Sequence, residues 1–190
     1  ETERRHNVSS HAALPNVVMD VESYNTVLYA LARSGLRDAP KRAMAMFDRM
    51  QHVFGLRPTI RSWSALLETY AKSGARTPSL AQTAEQILQR LLQSKDCKPD
   101  MYTFTSVLSC IHRGNPSQVL RSEEILRQME DMYQNGTIDA PPDRYHYTIL
   151  CGTWARSLRR EAPQRVFEIL AYLIQRGGTS FLKFCMLSLT

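Results

Sequence analysis

Apolar residues recur along this chain at spacings of three and four, in short stretches punctuated by proline and glycine, and the same stretch returns four times. Val21, Tyr24, Val27, Leu28 and Leu31 form the first stripe, Ile60, Trp63, Leu66, Leu67 and Tyr70 the second, and Met101, Phe104, Val107, Leu108 and Ile111 the third. This spacing places each set on one face of an α-helix. Tyr147, Leu150, Cys151 and Trp154 make the fourth, with Arg144 where its first apolar residue should stand. A second amphipathic segment follows each stripe: Ala43, Met46, Phe47 and Met50; Ala84, Ile87, Leu88 and Leu91; Ser122, Ile125, Leu126 and Met129; Val166, Phe167 and Leu170. No alternating strand pattern competes.

The punctuation agrees with eight helices in four pairs. Pro40, Pro78, Pro116 and Pro163 fall where a second helix opens, a position at which proline's missing N–H costs nothing. Pro58, Pro99 and Pro142 fall just before the next first helix. Gly35, Gly74 and Gly114 stop first helices, while Gly55, Asn135-Gly136 and Gly177-Gly178 stop second ones. The aromatics Tyr24, Trp63, Phe104 and Tyr147 mark the period, with separations of 39, 41 and 43 residues. Four units follow: 21–59, 60–100, 101–143 and 144–178. Residues 1–20 read as a flexible lead-in or the worn end of an earlier repeat, and 179–190 as a cap or the start of a truncated fifth. Helix pairs that cannot bury both faces alone must stack, so the expected fold is all-α, an α-solenoid of about four helix-turn-helix pairs with one concave surface.

Composition adds limits more than direction. With 190 residues, 43% hydrophobic and 22% charged, the chain can bury a core along its whole length. The net charge of +6 suits an acidic partner, though a membrane surface or an acidic protein would serve as well as nucleic acid. Cys97, Cys110, Cys151 and Cys185 are widely spaced with no CxxC pair, which argues against a zinc site or a disulfide scaffold. No run is apolar enough to span a membrane. A start at Glu1 reads as a fragment or a processed form, with any targeting peptide outside view.

Val21-Glu22-Ser23-Tyr24-Asn25-Thr26-Val27-Leu28 resembles the opening signature of the pentatricopeptide repeat family, Ala43-Met44-Ala45-Met46-Phe47-Asp48-Arg49-Met50 its second helix, and Lys98-Pro99-Asp100 its closing turn. The resemblance covers about Val21 to Gly178. Units near 40 residues are longer than the family's usual length, and the fourth lacks a glycine after its first helix. What the resemblance implies is a right-handed superhelix that reads single-stranded RNA, in an organelle (mitochondrion or plastid), in RNA processing, stability or translation. Other organellar RNA-processing or ribosomal proteins are the implied further partners. A monomer without cofactor is expected.

Three positions of each first helix lie away from the apolar stripe. The thirteenth is Arg33, Lys72, Arg113 and Arg156, a basic residue in all four units and a candidate cationic rail for phosphates. The plainer alternative is a solvated helix end, where such residues favour the negative C-terminal dipole. The second is Glu22, Arg61, Tyr102 and Tyr145, of which the last three can stack on bases. The fifth is Asn25, Ser64, Thr105 and Thr148, all hydrogen-bonding. By resemblance, the fifth and last residues of a unit share one base, which pairs Asn25 with Thr59, Ser64 with Asp100 and Thr105 with Asp143 and leaves Thr148 unpaired. The two middle pairs then favour guanine and Asn25 a pyrimidine, so the expected site is pyrimidine-G-G-purine.

No catalytic signature competes. His6, His11, His52, His112 and His146 are scattered, no HExxH or glycine-rich phosphate loop is present, and no repeated acidic cluster suggests a metal site. His112 and His146 are expected to be solvated helix residues. The competing class is a tetratricopeptide-like scaffold for protein partners, which explains the repeats but not the turn–aromatic–hydroxyl pattern or the basic rail. An RNA-processing enzyme would need an active-site domain outside these residues.

Overall fold

The computed structural model describes residues 19–73, 77–94 and 96–177, so the expected lead-in and the expected cap lie almost wholly outside the described residues. Eight α-helices run through them: α1 (Val21–Ser34), α2 (Ala39–His52), α3 (Ile60–Lys72), α4 (Pro78–Gln93), α5 (Met101–Gly114), α6 (Val119–Gln134), α7 (Arg144–Arg156) and α8 (Ala162–Gly177). Among the described residues there is no strand.

Each first helix opens from an extended residue that offers its side chain to the free N–H groups of the first turn. Asp20 Oδ1 accepts from the Ser23 N–H at 2.8 Å, Asp100 Oδ1 from Thr103 at 2.8 Å, and Asp143 Oδ1 from Tyr145 at 2.9 Å. Thr59 holds the corresponding place before α3. The ends are equally local. Gly35 caps α1 at φ 65°, and Gly136 turns the chain after α6 at φ 71°, both in the left-handed region that favours glycine.

The odd-numbered helices lie side by side, α1 on α3, α3 on α5 and α5 on α7, while each of α2, α4 and α6 also leans on the first helix of the next unit. This is an α-solenoid: the odd helices form one wall and the even helices the other. One continuous core runs between the walls from Tyr24 to Leu173. The joints show why the stripes are shared. Phe47 of α2 meets Trp63 of α3 with ring centroids 4.6 Å apart, and the Arg90 guanidinium of α4 covers both rings at 5.9 and 5.6 Å.

Two expectations are corrected. Pro116 opens a short 3-10 turn, Pro116–Gln118, and α6 begins only at Val119. On α8 the buried residues are Ala162, Ile169 and Leu173, whereas Phe167 of the expected stripe is 73% exposed. Phe167 matches Phe47, Leu88 and Leu126, each of which is buried where the next first helix follows; after α8 none is described. The connection from α6 to α7 is long, yet Ile138 within it is buried and its N–H donates to the Met132 carbonyl at 3.2 Å.

Gly114 packs tightly against the chain entering α4, where an added Cβ would stand 2.7 Å from the Thr77 carbonyl oxygen. Gly114→Ala is therefore expected to lower the unfolding free energy by about 1–3 kcal/mol, measured from the urea midpoint at unchanged slope.

Candidate functional site

The wall of odd helices encloses a groove of about 1170 Å³. Its lining joins residues that the sequence had placed on one helical face: Arg61, Ser64 and Lys72 from α3, Tyr102, Thr105 and Arg113 from α5, and Tyr145, Thr148 and Arg156 from α7, with Asp100 between. The reason is geometric, because these positions share a phase opposite the apolar stripes and the three helices are parallel neighbours. Tyr102 and Tyr145 project into solvent, 76% and 55% exposed. Four cations and two open phenol faces therefore share one trough.

Four expected residues do not line it: Arg33, Thr59, Asp143 and Asn25. Arg33 and Thr59 are exposed on the first unit and at its close. Asp143 sits at the start of α7, its side chain about half exposed. Asn25 is the clear correction. It is 2% exposed, clasped between α1 and α3, where its Oδ1 accepts from Ser62 Oγ at 2.6 Å. Its Nδ2 is buried with no hydrogen-bond partner among the described residues. An amide at this place serves the joint between helices, and it offers no edge to a ligand in the groove.

The basic residues have a second employment. Arg113 donates through Nη1 to the Ala71 carbonyl and through Nη2 to the Ser73 carbonyl at 3.1 Å, and Arg156 donates to the His112 carbonyl at 2.6 Å. Each thus caps the C-terminal end of the preceding first helix, so the dipole alternative holds, but across units. Lys72 instead pairs with Glu68 one turn back on its own helix. These contacts occupy only some of the donors of each guanidinium.

Both histidines named as solvated are in joints. His112 is half-buried and lines the groove, its Nδ1 3.1 Å from Thr153 Oγ1, and burial, with Arg156 and Arg113 close by, holds its pKa below the usual histidine value. His146 is 1% exposed: its Nδ1 lies 2.7 Å from Asp143 Oδ1 and its Nε2 2.9 Å from Thr105 Oγ1. The carboxyl of Asp143 is disfavoured as an anion by burial, but the hydrogen bonds and charge of His146 outweigh this and lower its pKa. A signal for His146 was present in the sequence, since it stands third in its unit where Ser23, Ser62 and Thr103 stand in the others.

Cys97 is half-buried and Cys110 and Cys151 are buried, and none of the three is in a disulfide; burial pushes the Cys110 thiol up to about 12. Among the described residues no three metal-binding side chains gather, and no helix is long and apolar enough to cross a membrane.

Arg113→Met should cost about 1–2 kcal/mol of stability by uncapping α3, whereas Lys72→Met should stay within about 0.5 kcal/mol; paired urea titrations separate them. His112 gives a pH dependence with a definite sign. Its folded form prefers the neutral ring, so the unfolded chain binds the extra proton as pH drops below about 6.5, and stability falls from there toward the lower folded pKa. His112→Asn should flatten that part of the urea-midpoint profile between pH 7.5 and 5.

In sequence, the chain is similar to known repeat proteins. A family model for the pentatricopeptide repeat domain matches residues 11–73. A chloroplastic pentatricopeptide repeat-containing protein of Arabidopsis thaliana is 30% identical over 110 residues, 57% of this chain and 20% of that protein. A second pentatricopeptide repeat-containing protein of the same plant is 37% identical over 71 residues, 37% of this chain and 14% of its own. The crystal structure of the pentatricopeptide repeat protein PPR10 in complex with an 18-nt psaJ RNA element aligns with 87% of this chain and 30% of that one, at 22% identity and a TM-score of 0.43. The chain spans a fifth or less of the length of the curated relatives it matches. In its repeated helix pairs and in these sequence matches, the chain is similar to pentatricopeptide repeat proteins.

Proposed function

We propose that this chain binds single-stranded RNA along the groove, at about one nucleotide per helix pair. The observation that supports this reading is the convergence of Arg61, Lys72, Arg113 and Arg156 with Tyr102 and Tyr145 on one trough. Cations at each step suit the phosphate backbone, and exposed phenol faces suit unstacked bases, which a duplex would keep hidden. The family's curated members in the comparison carry chloroplastic names in three cases, which supports residence in an organelle and a part in organellar RNA processing, stability or translation.

Base choice in this reading rests on the pair Ser64 with Asp100, both in the groove lining, and on Thr105 with Asp143, whose half-exposed side chain stands outside that lining. A short hydroxyl leaves room for a purine, and a carboxylate accepts from its imino or amino groups, so both units favour guanine. Asn25 takes no part, being sealed in the core. Thr148 lines the groove without an acidic partner and contributes a hydroxyl alone.

Filter binding of the chain to single-stranded RNA and to duplex DNA at several salt concentrations tests the proposal. Binding should favour the RNA, and four groove cations should give a log–log salt slope near about −3. Selection from an RNA pool should return adjacent guanines, and Thr105→Asn should change the base chosen at one of them. Failure to bind RNA, with capture of peptides instead, would favour the tetratricopeptide-like scaffold; an unchanged base preference would reject the pairing.

A further inference from the structure

The twelfth residue of each first helix stands beside the cationic thirteenth. It is alanine in three units, Ala32, Ala71 and Ala155, and His112 in the other. His112 lines the groove with Arg113 and Arg156, half-buried on α5 where it meets α7. Gly152 of α7 makes room for the ring, since a Cβ there would come within 3.1 Å of His112 Cε1.

One ring nitrogen is already committed. Thr153, sealed from solvent, donates its hydroxyl proton to the Ile149 carbonyl at 2.7 Å. A hydroxyl has a single proton, so the 3.1 Å contact between Thr153 Oγ1 and His112 Nδ1 places the hydrogen on Nδ1. The other nitrogen, Nε2, has no hydrogen-bond partner among the described residues and is not buried out of reach, so it belongs to the edge that the ring shows the groove. Burial, and then the charges of Arg156 on α7 and Arg113 on α5, disfavour a second proton on the ring. Lys72 and Glu68, the charged residues that α3 adds to the same groove, are paired with each other. What His112 offers a ligand at neutral pH is therefore a lone pair, set beside two guanidinium groups.

We propose that His112 Nε2 accepts a hydrogen bond from one ribose 2′-hydroxyl, which makes His112 a specificity-determining residue for RNA over DNA. The inference rests on the RNA-binding reading above. Cations hold a strand here by its backbone, and phosphate oxygens and the sugar ring oxygen only accept hydrogen bonds. Of the groups along that backbone, the 2′-hydroxyl alone has a proton to donate, and DNA lacks it. The bases are read elsewhere, because Thr105 stands about 10 Å away along the axis of α5 at the helical rise per residue. Alanine at the twelfth place of the other units has no acceptor to offer, so a single sugar of the bound strand is singled out.

The test places one 2′-deoxy or 2′-fluoro sugar at each position of the selected RNA in turn and measures the affinity of the 190-residue chain at about pH 7.5. A 2′-fluorine keeps the sugar pucker of RNA but carries no proton, so it separates donation from pucker. Both changes should cost about fivefold, the loss of one hydrogen bond, at one sugar and little elsewhere. That sugar should lie at or next to the nucleotide whose base choice moves in Thr105→Asn. His112→Asn, whose amide reaches Thr153 but not the place of Nε2, should erase the penalty at unchanged salt slope, whereas His112→Gln, whose amide does reach it, should keep part of it. His112→Ala matches the other three units and carries the test if His112→Asn fails to fold. No sugar standing out, a deoxy penalty that 2′-fluoro relieves, or a penalty indifferent to His112→Asn and His112→Ala would overturn the role of His112. So would affinity that rises toward about pH 5.5 only while His112 is present, since the ring would then be charging to meet a phosphate. Failure of the unsubstituted chain to bind RNA at all would instead overturn the reading on which the inference rests.

Discussion

A hairpin of two amphipathic helices has more apolar surface than it can hide, and the rest of this molecule depends on the next hairpin covering the remainder. Leu66, Leu67, Phe104 and Leu108 have no solvent exposure because α3 and α5 are each flanked on both sides. Burial of this kind, at about 25 cal/mol per Å² of apolar surface, is the main favourable contribution, and it exists only in the stack. The even helices take part by leaning on the following odd helix, as Phe47 does on Trp63. Hydrophobic contact thus fixes the distance between units before any polar group is considered.

Given that spacing, the polar residues of the inner wall can bridge it. Capping aspartates satisfy the first turn of α1, α5 and α7, with Thr59 in that place before α3, Arg113 and Arg156 satisfy the last turn of the odd helix before their own, and small polar residues link one helix to the next. The groups that face the groove are held from behind by groups that hold the solenoid together. Preorganisation follows, since a side chain already fixed by its neighbours loses little freedom when a ligand arrives. The cations, however, are shared between two tasks, and their positions owe as much to helix ends as to the groove.

The fold was largely legible because its determinants are periodic. Stripes, helix-opening prolines and helix-ending glycines recur along the chain, and four copies correct one another where a single copy is ambiguous, as at Arg144. The groove was legible for the same reason: nine residues chosen by helical phase do meet there, joined by Asp100 from the close of its unit. Phase does not report depth. Asn25 and Ser64 stand at the same position of their units, yet one is sealed and the other half-buried. Nor does phase identify partners across units. His146 was read as a solvated side chain because the histidines are scattered along the chain, and only the distance to Thr105 shows it performing the linkage that hydroxyl residues perform in the other units. Phe167 failed for another reason, since its stripe presumes a following first helix and none is described after α8.

The connection between α6 and α7 carries a further consequence. Its extra length is spooled on the rim and pinned by Ile138, so α5 and α7 still meet as α3 and α5 do. Insertions at such corners leave the rise from one inner helix to the next untouched. A lineage of these proteins can therefore gain or lose residues at the outer bends, acquiring new surface for other molecules, while the inner ruler keeps its graduation.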